Sequence, residues 1–448
     1  MKLEQLKAKI KSGEIDTVIV AFPDVFGRLS GKRFSGSFFL DSVAKHGTHA
    51  CSYLITQNLD QDPWEDFALA NWDKGFADFH VVPDLGEIRL VPWLPGSVLL
   101  LGDLHHANHD PVAEAPRSVL RRLLETTKKE GYTCYVASEL EFFMFEGSYE
   151  EAYRSGYRNL QPSSSHRLDY DLLQTTRDEE IFRKARNLFP LAGIEVENYK
   201  GEWGRGQHEL NFTYGDPMAV ADRHVIFKHG MKEIAQQHGK CVTFMAKPHA
   251  HDAGSSCHIH LSLFKNGKNV FHDPKREDGT KLFRSFLGGL LKYSPDFTLL
   301  YAPTINSYKR FQALSWAPTK LVWAFDNRTV GFRVVGHGEG FRLENRMPGA
   351  DANPYLAFAA MLAAGLAGVN EGLDCGKMYA GNAYADDKLP HLATSLGQAA
   401  DQFARSAGAK KSFAAAIVDF YARTARNELR EFNAAVTDWE RTSYFEKI

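Results

Sequence analysis

At 448 residues the chain exceeds one typical hydrophobic core and is expected to divide into two domains. Hydrophobic residues make up 44% and charged residues 24%, a globular balance that excludes a disordered or fibrous chain. A formal net charge of −2 leaves no overall basic field for nucleic acid or an anionic membrane, so any bound anion has to be held by local clusters.

Residues 2–11 read as a short amphipathic helix, without the unbroken apolar stretch of a signal peptide. No window approaches the roughly 20 apolar residues that span a bilayer. The run DTVIVAFPD follows as a strand with Val18, Val20 and Phe22 on one face. Phe26-Gly27-Arg28 reads as a turn and RLSGKRF as the returning strand. Short runs such as VVPD, EIRLVPWLPG and SVLLLGDL complete a small, mostly β domain over residues 1–105. HHANHDPVAEA is a polar linker, after which Pro116 opens a helix with Val119, Leu120, Leu123 and Leu124 as its apolar stripe and Gly131 just past its end. From there to residue 448, strands alternate with long helices, including 221–238 and the Ala-rich 354–368, predicting a large α+β domain over 106–448. The five cysteines (Cys51, Cys134, Cys241, Cys257 and Cys375) form no CxxC pair and read as reduced thiols of a cytoplasmic protein.

Four segments share strict alternation, with carboxylates, histidines or arginines on one side and large apolar groups on the other. In SELEFFMF, Glu139 and Glu141 oppose Leu140, Phe142 and Met144. In GQHELNF, Glu209 and Asn211 oppose Leu210 and Phe212, with Glu202 in the loop before. CHIHLSLF sets His258, His260 and Ser262 against Ile259, Leu261 and Leu263. FRLENRM sets Arg342, Glu344 and Arg346 against Phe341, Leu343 and Met347. A solvated sheet face also alternates, but it favours Lys, Thr and Ser, whereas here the polar side is almost wholly Glu, His and Arg. If the four strands wall one cavity, its carboxylates cannot all stay ionised without cations. Oxygen-rich ligation with a single imidazole suits Mg²⁺ or Mn²⁺ better than zinc, and two ions supply the compensation.

A second cluster is cationic: Lys309, Arg310, Arg328, Arg333, Arg342 and Arg346. Each is a surface group by default, but together, interleaved with Glu344, they suit a clamp for phosphate and carboxylate. No P-loop or GxGxxG fingerprint is present, so a bound nucleotide would be held by metals and arginines.

In order and spacing, ELEFFMF, GEWGRGQHE, KP…GSSCHIHLSL, NSYKRF…AP, DNRTVGFR and RLENRMPGADANPYL resemble the glutamine synthetase motifs over residues 110–370. The resemblance implies an N-terminal β-grasp-like domain, then a catalytic domain whose curved antiparallel sheet lines the active site. It implies that Glu141, Glu202 and Glu209 hold one Mg²⁺ (or Mn²⁺), and that Glu139, His258 and Glu344 hold a second, which bridges the ATP phosphates. By the same likeness Arg310 and Arg346 hold glutamate, Arg328 and Arg333 the transferring phosphate, and Gly254 lies near the substrate's amino group. Glu197, Tyr214, His260 and Ser262 match adenosine-binding positions. The implied assembly is a homo-oligomer, a dodecamer of two hexameric rings, with no nucleic-acid or membrane partner.

The sequence departs from that pattern where the family handles ammonium. Trp316 stands where glutamine synthetases carry a glutamate before Ala-Pro, and an indole cannot accept a proton. The DGSS segment is missing from residues 60–76, and Ala253-Gly254-Ser255-Ser256 replaces Asn-Gly-Ser-Gly. The expected reaction is ATP-dependent joining of glutamate to a primary amine of the ethanolamine or polyamine type, through γ-glutamyl phosphate, with Trp316 packing on the amine. The alternatives are a true glutamine synthetase in which Asp62, Glu65, Asp66 or Asp73 replaces the lost acids, and a catalytically silent structural homologue. Tyr384, near an adenylylation position of some bacterial relatives, reads as an exposed structural tyrosine.

Overall fold

A computed structural model describes residues 1–448. Its first sheet contains β1 (Thr17–Pro23), β2 (Leu29–Ser35), β3 (Thr48–Cys51), β4 (Asp78–Pro83), β5 (Arg89–Leu90) and β6 (Ser97–His105). The strand order is β2-β1-β6-β4-β3, with β5 on β6, and only β1 and β6 run parallel. Val18, Val20 and Phe22 are buried, as their alternation requires. The β1–β2 turn is fixed by Asp24, which accepts from the Phe26 and Arg28 amides at 2.9 Å, while Gly27 takes the left-handed conformation at φ +77°.

The second sheet is built from β7 (Thr133–Glu146), β8 (Val196–Gly201), β9 (Gln207–Phe212), β10 (Lys240–Thr243), β11 (Cys257–Lys265), β12 (Lys268–Asn269), β13 (Trp323–Phe325), β14 (Phe332–Val335) and β15 (Arg342–Asn345). Its main path is β13-β14-β15-β11-β7-β9-β8. The four alternating segments are therefore four consecutive neighbours, β15-β11-β7-β9, and their apolar sides (Leu140, Phe142, Leu210, Ile259, Leu261 and Leu343) are fully buried.

Helices close the back of this sheet. The helix Pro116–Lys129 buries Val119, Leu120 and Leu123. The helices at 221–238 and 354–368 extend over Pro217–Gln237 and Pro354–Glu371, each capped by the Asp or Asn just before its first-turn proline. Pro354–Glu371 packs against Lys281–Tyr301 so closely that a Cβ on Gly289 or Gly368 would strike the other helix's backbone. No helix is long and apolar enough to cross a membrane.

One continuous core of 98 buried residues runs from Leu6 to Ala425 through both sheets. Polar ties reinforce it. Arg117 bonds Asp103 at 2.8 Å and also Asp222, which accepts from Tyr355 Oη at 2.6 Å. Trp93 donates to Glu233 at 2.6 Å, and Asn353 donates to the carbonyls of Asp24 and Val25. These contacts seat the first sheet on the helices that support the second.

Candidate active site

Strand register assembles the site. Across β11 and β7, His258 lies opposite Glu139; across β11 and β15, His260 lies opposite Glu344. Across β7 and β9, Glu141 lies opposite Glu209, and β8 extends that row with Lys200. The polar side chains meet in an open cavity of about 790 Å³ lined by Glu139, Glu141, Glu202, Glu209, His258, Glu344, Gly254, Trp316, Arg328, Arg333 and Arg346, among others.

Two groups of ligand-type atoms stand out. Glu141, Glu202 and Glu209 each offer an oxygen within 4.8 Å of the others, and Glu139, His260 and Glu344 do the same. In the second group His260, 2.7 Å from Glu139, takes the place expected of His258, whose Nδ1 lies 3.2 Å from Glu139 and 3.6 Å from Glu344.

The two groups are compensated differently. In the first, Glu141 Oε2 accepts from the Ser256 amide at 2.8 Å and from Gln207 Nε2 at 3.1 Å. The nearest cation is Lys200, which bonds Glu202 and lies 3.6 Å from Glu209. Burial raises the Glu209 carboxyl; Lys200 opposes this, while Glu141 and Glu139 add to it. In the second group, burial would raise Glu344, but Arg346, His258 and His260 hold it at about 2. Glu139 is likewise pushed up by burial and brought well below the usual range by His260 and His258. The donor set fits divalent metal ions: hard oxygens dominate, a lysine stands where added positive charge belongs, and the buried His258 Nε2 has no hydrogen-bond partner.

The arginines occupy different depths. Arg346 bonds Glu344 and reaches the Trp316 carbonyl at 3.4 Å, and Arg333 bonds Glu344 at 2.9 Å and also Asp326. Arg310 does not line the cavity. It is 1% exposed, and its guanidinium donates to the carbonyls of Met347 and Arg346 and to Ser256 Oγ, at 2.8–3.0 Å. Burial lowers it to about 10, despite Glu141. Gly254 lies over it, where a Cβ would fall 2.7 Å from Arg310 Cγ and 2.8 Å from the Ala246 carbonyl. Of the adenosine positions, His260 is buried and accepts from Arg342 Nε at 3.2 Å, Ser262 lies opposite Tyr135 across β11 and β7, and Tyr214 and Glu197 are exposed.

Trp316 stands at the cavity mouth, 50% exposed, with φ +64°, a conformation a bulky residue adopts only when its surroundings impose it. The Arg346 contact to its carbonyl is one restraint. A second is Tyr384, which is half-buried rather than exposed and donates to the Ala317 carbonyl at 2.8 Å. No residue of 60–76 lines the cavity; Asp66 instead accepts from Asn427 at 2.7 Å.

Other residues of the site drew no functional reading from the sequence, although Trp203 lies inside the GEWGRGQHE motif. Trp203, next to Glu202, meets Trp316 edge to face with ring centroids 6.4 Å apart, and the Arg167 guanidinium lies 4.1 Å over it. Asp169 and Tyr170, from a turn, and Leu172, the first residue of the short helix Leu172–Thr175, also line the cavity. Lys200 was findable, since it shares the register row of Glu209; the loop residues obey no periodicity and were not.

The family model for the glutamine synthetase catalytic domain matches residues 113–444. Similar proteins include a gamma-glutamylethanolamide synthetase of Streptomyces coelicolor, 45% identical over 100% of this chain and 96% of the relative. A glutamate–isopropylamine ligase of a Pseudomonas species is 35% identical, covering 98% of this chain and 97% of the relative. The solved structure of GmaS with ADP superposes with a TM-score of 0.86 at 27% identity, over 98% of this chain and 99% of that one.

Proposed function

The chain belongs to the glutamine synthetase family, and we propose that it is an ATP-dependent ligase that joins the side-chain carboxylate of glutamate to a small primary amine of the ethanolamine type. The observation that carries the choice of acceptor is Trp316: an indole, held in a strained conformation by Arg346 and Tyr384, sets an apolar aromatic face at the cavity mouth where the family motif has a charged glutamate, and such a face packs on an alkyl amine body rather than on bare ammonium. The two relatives named for their products or substrates, the ethanolamide synthetase and the isopropylamine ligase, both act on primary amines.

The chemistry divides between the two sides of the cavity. A carboxylate is a poor electrophile and is activated first, by taking the γ-phosphoryl group of ATP. Arg328 and Arg333, which line the cavity, would neutralise that group, and Arg346 would hold the carboxylate that attacks it. Arg310 acts one layer behind, fixing the backbone that carries Arg346. Glu141, Glu202 and Glu209, and Glu139, Glu344 and His258 or His260, would hold divalent ions, whose charge would let these carboxylates remain ionised beside phosphate. The amine, as its neutral free base, then displaces phosphate from γ-glutamyl phosphate: the C–N bond forms as the C–O bond to phosphate breaks, the N–H proton leaves with the phosphate as HPO4²⁻, and the alkyl body lies against Trp316. Residues 1–105 would form the β-grasp-like unit, 106–448 the catalytic unit, and a ring oligomer the working assembly.

Phosphate release with Mg²⁺, ATP and glutamate, measured against ammonium, methylamine, ethanolamine, isopropylamine, putrescine and spermidine, tests the reading. Ethanolamine or a similar amine should exceed ammonium in kcat/KM by about tenfold or more, with the γ-glutamylamide identified by mass. Ammonium as the best acceptor would overturn it and leave a glutamine synthetase.

A further inference from the structure

Six carboxylates line the cavity, and five of them are already engaged. Glu141, Glu202 and Glu209 make up one ligand group, and Glu139 and Glu344 belong to the other. Each of the five also meets a donor of the protein. Lys200 serves Glu202 and Glu209, and the Ser256 amide serves Glu141. His258 and His260 serve Glu139, and Arg333 and Arg346 serve Glu344. The sixth is Asp169, which belongs to neither group and whose side chain forms no hydrogen bond or ion pair. Its neighbour Asp171 is used locally, capping Leu172–Thr175 by accepting from the Leu173 and Gln174 amides at 3.0 and 3.2 Å.

Backbone pairing fixes where Asp169 stands. Arg167 bridges Arg205 in antiparallel fashion, and the Leu168 and Asp169 amides both donate to the Glu202 carbonyl, at 3.3 and 2.9 Å. The Tyr170 amide donates to the Gly201 carbonyl at 3.3 Å. Leu168 is fully buried, whereas Asp169 is exposed within the cavity. The stretch 167–170 therefore lies along 201–205, beside Trp203, whose ring meets Trp316 edge to face.

A free aspartate on an open surface is simply hydrated. One held beside two exposed indoles, inside the cavity an amine has to enter, offers what an alkylammonium ion needs: an anion for its charged head and aromatic faces for its alkyl body. A primary alkylamine is mostly that cation near neutral pH. We infer that Asp169 receives the acceptor amine as its ammonium ion, with Trp203 and Trp316 against the alkyl part. This role rests on the ligase reading and is one of binding. The proton that the ammonium gives up before attack passes to water, leaving the free base that attacks γ-glutamyl phosphate.

Initial rates of phosphate release by the full chain, with ethanolamine or methylamine varied at saturating ATP, Mg²⁺ and glutamate, test the assignment. Asp169→Asn should raise the KM for either amine by about tenfold, with kcat within about twofold and the KM values for glutamate and ATP unchanged. Asp169→Glu, which keeps the charge, should recover most of the loss. Asp169→Ser carries the same measurement should Asp169→Asn fail to fold. An amine KM that stays unchanged without the carboxylate overturns the assignment. So does a matching rise in the KM for glutamate, which would put Asp169 on the amino-acid substrate. Asp169→Glu as impaired as Asp169→Asn would overturn it too, since shape and not charge would then be what the site reads. The ligase reading fails separately, on wild-type preference for ammonium over every amine, a result no variant enters.

Discussion

The deep wall of the cavity and its mouth are built on opposite plans. The wall is carried by β15, β11, β7 and β9, whose register leaves each functional side chain one orientation and whose backs are fully buried. The mouth is carried by loops: Asp169 and Tyr170, Trp203, and the 311–317 segment in which Leu314 and Trp316 both take positive φ. Paired strands hold charge where every reaction in the family needs it; loops can change length and residue without disturbing that charge. Activation and acceptor choice should therefore be separable by mutation.

The largest effect should come from the wall. Glu209→Gln is expected to lower phosphate release by about 100-fold or more with every amine alike. Because Glu209 is raised by burial beside Glu141 and Glu139, the same change should raise the melting temperature of the metal-free protein and reduce its further rise with Mg²⁺, leaving the part due to the second group. A loss confined to some amines would break the division.

Next in size is a stability effect beneath the mouth. Glu428 accepts from the Ile305 amide at 3.0 Å, at the foot of the segment leading to Trp316. Burial pushes its carboxyl up to about 7; the Ile305 bond opposes this, and Asp351 and Glu431 add to it. A carboxyl whose pKa rises on folding binds its proton more tightly in the folded state. Its contribution is full below the ordinary value of 4.5 and is lost as pH rises through about 7. The sum is at most about 3 kcal/mol. Melting temperature should fall between about pH 5 and pH 8, and Glu428→Gln should flatten that fall; an unchanged slope in the variant would assign it elsewhere.

Two acceptor effects follow. Trp316→Glu should move the amine-to-ammonium ratio of kcat/KM toward ammonium by about tenfold, with the KM for ATP unchanged. Trp203→Ala, which removes the indole edge facing Trp316, should lower kcat/KM for the amine by roughly two- to fivefold. Equal losses with ammonium would make Trp203 a packing residue only.

How much was legible in the sequence follows the same division. Alternation at Glu139–Met144, Glu209–Phe212, His258–Leu263 and Arg342–Met347 marked both the strands and the inward carboxylates, because a pleated strand with one buried face leaves no other pattern. Depth was not legible: Arg310 and Arg346 look alike in sequence, yet one is sealed behind the backbone and the other reaches the cavity. Trp316 was found by comparison with the family motif, whereas Trp203 and Asp169 reach the mouth through loop conformation, which neither periodicity nor spacing encodes. Tyr384 looked exposed because its partner, the Ala317 carbonyl, lies 67 residues away in the chain.

The continuous core has a consequence for anyone dividing the molecule. Val18, Val20, Leu100 and Trp93 share one apolar interior with Phe189, Phe227 and Tyr355. A cut near residue 105 would bare matching greasy faces on both fragments. It would also part Asp103 from Arg117, leaving that sealed guanidinium to share Asp222 with Tyr355 and nothing else from the lost piece.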